Sequence, residues 1–316
     1  MRSLTGLAAL SALAVLATGC SAFSEDGGSA SGGSGGPTVV AAFYPLAWLT
    51  ERVADGTGAR VDLLTTPGSE PHDLEIDIAK TAQVAEADLV VYEAGFQPAV
   101  DDTVAQNASG DTLDVAALAD LRPVDESAEE HDEHAEEEDH GHDHGELDPH
   151  FWQDPLRVAA VADAVAGELS SLDKKNAAAY ESNAKALRRD LENLDASYTT
   201  GLADCERDTI VVSHDAFGYL EKYDLHIASI VGLSPDAEPT AGALGQLQDL
   251  IEKEGITTVF SEPLKPALGE SIASDLGLTN GTLDPIEGLS DATSDEDYLS
   301  LMKANLTALR TANGCR

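Results

Sequence analysis

Nine histidines punctuate the chain, and their neighbours divide them into two groups. His131, His134, His140, His142 and His144 lie in a run of acidic residues, whereas His72, His150, His214 and His226 stand in ordinary sequence. His72 falls in PGSEPHDLE after an apolar VDLL run, His150 in LDPHFWQDP, and His214 in SHDAFGY directly after TIVV. Each of these three marks the place where a strand or an acidic stretch gives way to a polar turn. They come from well-separated parts of the chain, as a site assembled at a cleft requires. Three neutral imidazoles suit zinc, which takes four nitrogen, sulfur or carboxylate ligands in a tetrahedron. Asp284, at the end of TLDPI, is the expected carboxylate, and Glu70 beside His72 is the alternative. A single histidine at a strand end is more often a hydrogen-bonded turn residue than a ligand, but three in matching positions point to a metal. His226 opens the HIASI run and reads as structural.

Such residues need elements to hold them. TVVAAFYPL, ARVDLLTT and ADLVVYEAG are short β-rich runs, and LAWLTERVADG and DIAKTAQVAEA between them have helical spacing. This alternation predicts a parallel sheet flanked by helices over residues 38–155. From Asp154 the chain becomes rich in Ala, Leu and Glu, with Leu187, Leu191 and Leu194 at three- and four-residue steps. Residues 156–200 therefore read as a helical connector, with one long helix over 173–198. The α/β rhythm returns over 201–316: RDTIVVSHDAF, HIASIVGL, ITTVFSEPL and TNGTLDPI are strands, separated by the helical AGALGQLQDLIEKEG and PALGESIASDLG. The expected fold class is α/β, with two lobes, each a parallel-rich sheet flanked by helices, joined by a long rigid helix. Ligands in such sheets sit outside the carboxyl ends of the strands.

Composition narrows the partners. The chain carries 58 acidic against 18 basic residues in 316. No nucleic-acid partner is expected, because phosphate binding needs clustered Lys and Arg. The opening MRSLTGLAALSALAVLATGC has a basic residue, a short apolar run and a cysteine after small residues. It reads as a lipoprotein signal over 1–19, with lipid on Cys20, so the expected location is the outer face of the cytoplasmic membrane. Residues 20–37 are a Gly/Ser-rich tether. Lipidation of Cys20 leaves Cys205 and Cys315 as an even pair in an oxidising compartment, where a disulfide is the simple inference and two free thiols the alternative.

Several motifs together resemble one family: FYPL (43–46), PGSEPHDLE (67–75), ADLVVYEAG (87–95), LDPHFWQDP (147–155), VVSHDAFGYLEKYDL (211–225), LSPDAEPT (233–240) and TLDPIEG (282–288). These are similar to the metal-binding proteins of bacterial ABC importers for zinc and manganese, in their zinc-uptake branch, over roughly residues 38–316. The resemblance implies metal in the interlobe cleft, held by His72, His150, His214 and the carboxylate of Asp284. It further implies a monomer that delivers Zn2+ to an ABC permease membrane subunit and is no enzyme. Manganese-type relatives carry a glutamate where His214 stands, and harder, oxygen-rich sites suit manganese; Mn2+ is the alternative cargo. Asp148 and Asp215 adjoin the histidines as supporting groups. Relatives often have a glutamate and tryptophan after the third strand. Here the residues are Gly95-Phe96-Gln97-Pro98-Ala99, a departure expected to affect only the lobe surface.

The remaining histidines sit between Asp125 and Asp148 among thirteen carboxylates, with no Lys or Arg and no apolar periodicity. That composition predicts a solvated acidic loop, with His131, His134, His140, His142 and His144 as weak auxiliary metal ligands. Two other functions fit three histidines. A zinc hydrolase would need an open metal position and a general base, and no HExxH helix is present. An adhesin would use the metal for stability alone.

Overall fold

The computed structural model describes residues 35–124 and 147–316. The expected signal 1–19, Cys20, nearly all of the 20–37 tether, and His131, His134, His140, His142 and His144 lie outside the described residues.

In the first lobe β1 (Thr38–Ala41) is followed by α1 (Tyr44–Ala54), β2 (Arg60–Leu63), α2 (Ile78–Glu86), β3 (Leu89–Tyr92), α3 (Pro98–Asn107), β4 (Asp111–Asp114) and the single turn α4 (Ala116–Ala119). The strands form one parallel sheet in the order β2-β1-β3-β4. The central β1 and β3 are almost wholly buried and built from Val, Leu and Ala, as a sheet covered on both faces demands. At the edge, β4 reads DTLD and is mostly exposed.

A two-residue antiparallel ribbon follows, β5 (Arg122–Pro123) against β6 (Leu147–Asp148). The chain then passes His150 and a 3-10 turn, Phe151–Gln153, into α5 (Pro155–Leu172) and α6 (Ala177–Leu202). Asp154 caps α5 by accepting from the Leu156 N–H at 2.9 Å, and Pro155 fills the first turn, where its missing N–H costs nothing. The long helix begins at Ala177, later than its periodicity suggests. Asp173 folds the chain into a turn, its carboxylate accepting from Asn176 Nδ2 at 2.6 Å and Tyr180 Oη at 3.3 Å. At 26 residues α6 is about 39 Å long.

The second lobe contains β7 (Thr209–Val212), a 3-10 turn Gly218–Tyr223, β8 (His226–Ser229), α7 (Ala241–Glu254), β9 (Thr258–Ser261), α8 (Ala267–Leu276), β10 (Thr279–Thr282) and α9 (Tyr298–Asn313). Its parallel sheet runs β10-β9-β7-β8. Counted from the other edge, that is the strand order of the first lobe. A disulfide joins Cys205, just after α6, to Cys315, just after α9.

The lobes share a core. Leu187, Leu191, Leu194 and Tyr198 of α6 are buried in the same apolar cluster as Val39, Val90, Ile210 and Leu309. Each buried leucine contributes about 1.5–3 kcal/mol. Trp48 of α1 packs on Tyr298 of α9 with ring centroids 4.6 Å apart, and the Tyr298 hydroxyl donates to the Trp152 carbonyl at 2.5 Å.

Candidate metal centre

Four side chains meet in the cleft between the carboxyl ends of the two sheets: His72, His150, His214 and Glu287, all buried. His72 belongs to the loop after β2, His150 to the turn after β6, His214 follows β7 by two residues and Glu287 follows β10 by five. Each lobe therefore provides two. Oε1 of Glu287 stands 3.3 Å from His72 Nε2, 3.3 Å from His150 Nε2 and 3.2 Å from His214 Nε2. Nε2 of His72 and His150 are 3.4 Å apart, and all four ligand atoms lie within 4.8 Å of one another. A tetrahedron with vertices 2.0–2.1 Å from its centre, the zinc–nitrogen distance, has edges of about 3.3–3.4 Å. Four of the six edges have that length.

Two carboxylates behind the cluster aim its imidazoles. Asp148 Oδ1 lies 2.8 Å from His150 Nδ1 and accepts from the His150 backbone N–H at 3.0 Å. Glu262, immediately after β9, does the same for His214, at 2.7 Å from Nδ1 and 3.1 Å from the backbone nitrogen. An ionised carboxylate only accepts, so Nδ1 of each ring carries a proton, and Nε2 is the atom left to offer a lone pair to the centre once its own proton is displaced. The Asp215 carboxyl is raised by burial and feels the charges of Asp148, His150 and His214, while its backbone N–H donates to Gly232 O. Glu262 was legible only as an acidic residue ending a strand in ITTVFSEPL.

The charges are finely opposed. Burial pushes the His150 imidazole down, but the hydrogen bonds with Asp148 and Glu287 outweigh it and lift the group to about 9. His214 is raised well above its ordinary value by Glu262 and Glu287 against the same burial. His72 is lowered by burial, against the opposing pull of Glu287. Glu287 is held well below the usual carboxylate range, the surrounding histidines overcoming its own burial. A dication entering this centre therefore takes the place of protons, and its binding releases them.

Asp284, the carboxylate expected to complete the set, is not among the four; Glu287 stands there. Asp284 turns back on its own loop, Oδ1 accepting from the Ile286 N–H at 2.8 Å, while its backbone is clasped by Asn305 through bonds of 2.9 and 2.7 Å. Burial and the nearby Glu287 raise its carboxyl to about 6. The chain then bends through Ile286, at φ +61°, and carries Glu287 to the cluster. Glu70, the alternative, stops 4.0 Å from His72 Nε2 and accepts from the His72 backbone N–H at 3.1 Å. Burial and Glu287 push its carboxyl up to about 8.

The departure at Gly95-Phe96-Gln97 is not a surface feature. Phe96 is fully buried, with its ring edge-on to His72 at 4.8 Å, and Gln97 Nε2 donates to Pro71 O at 2.8 Å. Both brace the His72 loop. His226, set aside as structural, is exposed at the start of edge strand β8.

The family described as ZnuA, zinc-uptake complex component A periplasmic, matches residues 39–312. The chain belongs to this family. It is 35% identical over 288 residues to the zinc-binding lipoprotein AdcA of Streptococcus pneumoniae, covering 86% of this chain and 55% of that one. It is 32% identical over 314 residues to the high-affinity zinc uptake system protein ZnuA of Bacillus subtilis, covering 97% and 96% of the two chains. The chain thus spans about half the length of its AdcA relatives, at 55%, and nearly all of the Bacillus one. Among solved structures, the Zn(II)-bound ZnuA-like domain of Streptococcus pneumoniae AdcA superposes with a TM-score of 0.71 at 30% identity, over 88% of this chain and 99% of that one.

Proposed function

We propose that this protein captures Zn2+ outside the cytoplasmic membrane and hands it to an ABC-type permease. His72, His150, His214 and Glu287 are the ligands in this reading. The convergence of three Nε2 atoms and one carboxylate oxygen at tetrahedral edge lengths carries it. Membership of a zinc-uptake family supports the transport role, and the names of the AdcA and ZnuA relatives support zinc as cargo. A third imidazole at His214 favours zinc over manganese. Four protein ligands fill the tetrahedron and leave no position for a reactive water, which speaks for transport over hydrolysis. The two-and-two division of ligands makes lobe separation a route to release. Lipidation at Cys20 would keep the protein beside its permease.

Competition between zinc and manganese for the metal-free protein tests this. Trp152 is the reporter, its ring centroid 5.2 Å from that of His150. Zinc is expected to win at equal concentration; manganese winning overturns the assignment of the cargo.

A further inference from the structure

The turn that delivers Glu287 is held open against its own preference. Ile286 is fully buried at φ +61°, in the left-handed region that a β-branched residue rarely enters. The residue before it is gripped from the other lobe. Pro285 O accepts two hydrogen bonds, from Trp152 Nε1 at 2.7 Å and Gln153 Nε2 at 2.6 Å. Both donors lie within three residues of His150. A third bond across the cleft, from Gly68 N–H to Leu289 O at 2.8 Å, fastens the far side of the turn. Proline has no N–H of its own, so Pro285 contributes only the acceptor that these donors share.

We propose that Trp152 and Gln153 are positioning residues for Glu287: they pin the strained turn at Ile286 while the lobes are together, and lobe separation lets the turn relax and withdraws the carboxylate from zinc. This rests on the proposed zinc-capture function and adds a release step to it. Loss of the Pro285 bonds leaves the peptide before Ile286 held from its own lobe alone, by the Ile286 N–H bond to Asp284 Oδ1. A return of Ile286 to negative φ then rotates the Glu287 backbone away from the three imidazoles. Release of the ligand and opening of the cleft become one event.

The test compares Ile286→Gly with Ile286→Ala in the full-length protein, loaded with zinc and challenged with excess chelator. Both variants lose the same packing of the isoleucine, but only glycine enters the left-handed region without cost. Zinc affinity is the clean readout, since metal-free and metal-bound forms are both folded and the unfolded-chain entropy of glycine cancels. Zinc release from the glycine variant is expected to be roughly five- to tenfold slower than from the alanine variant, with a matching tightening of affinity. Equal release rates would show that the strain persists in both states and overturn the proposal. Gln153→Met keeps the side-chain size, leaves the second lobe untouched, and serves if the Ile286 variants do not fold. Its zinc release is expected to be at least about fivefold faster, within the value of a buried hydrogen bond, with association unchanged; an unchanged release rate overturns the proposal. Failure of the unsubstituted protein to bind zinc would instead sink the capture function, and the positioning role with it.

Discussion

Glu93 and Glu262 occupy the same position in two equivalent sheets, and only one of them has an imidazole to hold. In the first lobe Ala41 pairs with Val91; in the second Val212 pairs with Phe260. Two residues beyond the paired positions stand Phe43 and Glu93 in one sheet, His214 and Glu262 in the other. Glu262 bonds His214, whereas both carboxylate oxygens of Glu93 are buried without a hydrogen-bond partner among the described residues. Phenylalanine at the histidine's position cannot supply one. The first lobe instead brings its histidines from the loops after β2 and β6.

That difference predicts a pH signature. Burial, then the charges of Asp148, Asp114 and Asp101, raise the Glu93 carboxyl well above its ordinary value. A raised folded-state value means that the fold favours the protonated form. The penalty is absent below the unfolded value near 4.5, and grows as pH climbs from there toward the folded value. Glu93→Gln should therefore gain on the unsubstituted, metal-free protein as pH rises. The difference in melting temperature is expected to widen by more than about 2 °C between about pH 5 and pH 8, the mark of roughly 1 kcal/mol in a chain of this size. A difference that stays constant with pH would refute the assignment.

Glu262 should matter to zinc rather than to folding alone. It orients the His214 ring and adds basicity to Nε2, so in the proposed zinc site its loss would weaken His214 as a ligand. Glu262→Ala is expected to weaken zinc binding about 10- to 100-fold in chelator competition. Glu262→Gln keeps an acceptor for Nδ1–H and should fall between the two. Equal affinity in all three proteins would show that the carboxylate only braces the loop.

The fold and three of the four clustered residues were legible because they obey local rules. Buried parallel strands read as apolar runs, and the three histidines follow strands or interrupt prolines and aromatics. The edge strand β4, DTLD, carries no apolar signature, since an edge is only partly covered. Glu287 was hidden by geometry. Asp284 stands nearer the strand end, and it is after the left-handed bend at Ile286 that the carboxylate of Glu287 reaches the three imidazoles. Likewise Phe96 and Gln97 support His72 through contacts that link distant segments, which spacing along the chain does not encode.

Asp284 and Glu287 can be separated directly. Asparagine at 284 still offers an oxygen to the Ile286 N–H, so Asp284→Asn should keep zinc affinity within about threefold, the scale of a preserved neutral hydrogen bond. Glu287→Ala removes the oxygen nearest all three Nε2 atoms and is expected to cost more than about 100-fold, beyond the usual effect of an outer supporting group. Calorimetric titration with zinc distinguishes them. A larger loss from Asp284→Asn would restore Asp284 as the ligand.

The disulfide should dominate the stability of the second lobe. Cys205 and Cys315 are separated by 110 residues, and closing a loop of that size restricts the unfolded chain by about 4–5 kcal/mol. Replacing both cysteines with serine is expected to lower the melting temperature by roughly 10 °C, given about 2–4 °C per kcal/mol. The proposed zinc site lies at the other end of the sheet, so its one tight equivalent should remain. A shift under about 2 °C would mean that α9 is held by its packing alone.

The acidic histidine segment can be removed without disturbing its anchorage. Pro123 pairs with Leu147 and Arg122 with Asp148 in an antiparallel ribbon, which brings the flanking backbones to about 4.5–5.5 Å. A short Asn-Gly turn can therefore rejoin the chain in place of residues 125–146. Asp148 keeps its bond to His150 in that variant, because its position is set by the ribbon and by Tyr219, whose hydroxyl donates to Asp148 O at 2.6 Å. The shortened protein is expected to retain one tight zinc site and to lack the additional weak equivalents expected of the full chain in titration. Loss of the tight site, with the fold intact by circular dichroism, would move the primary ligands into the removed segment.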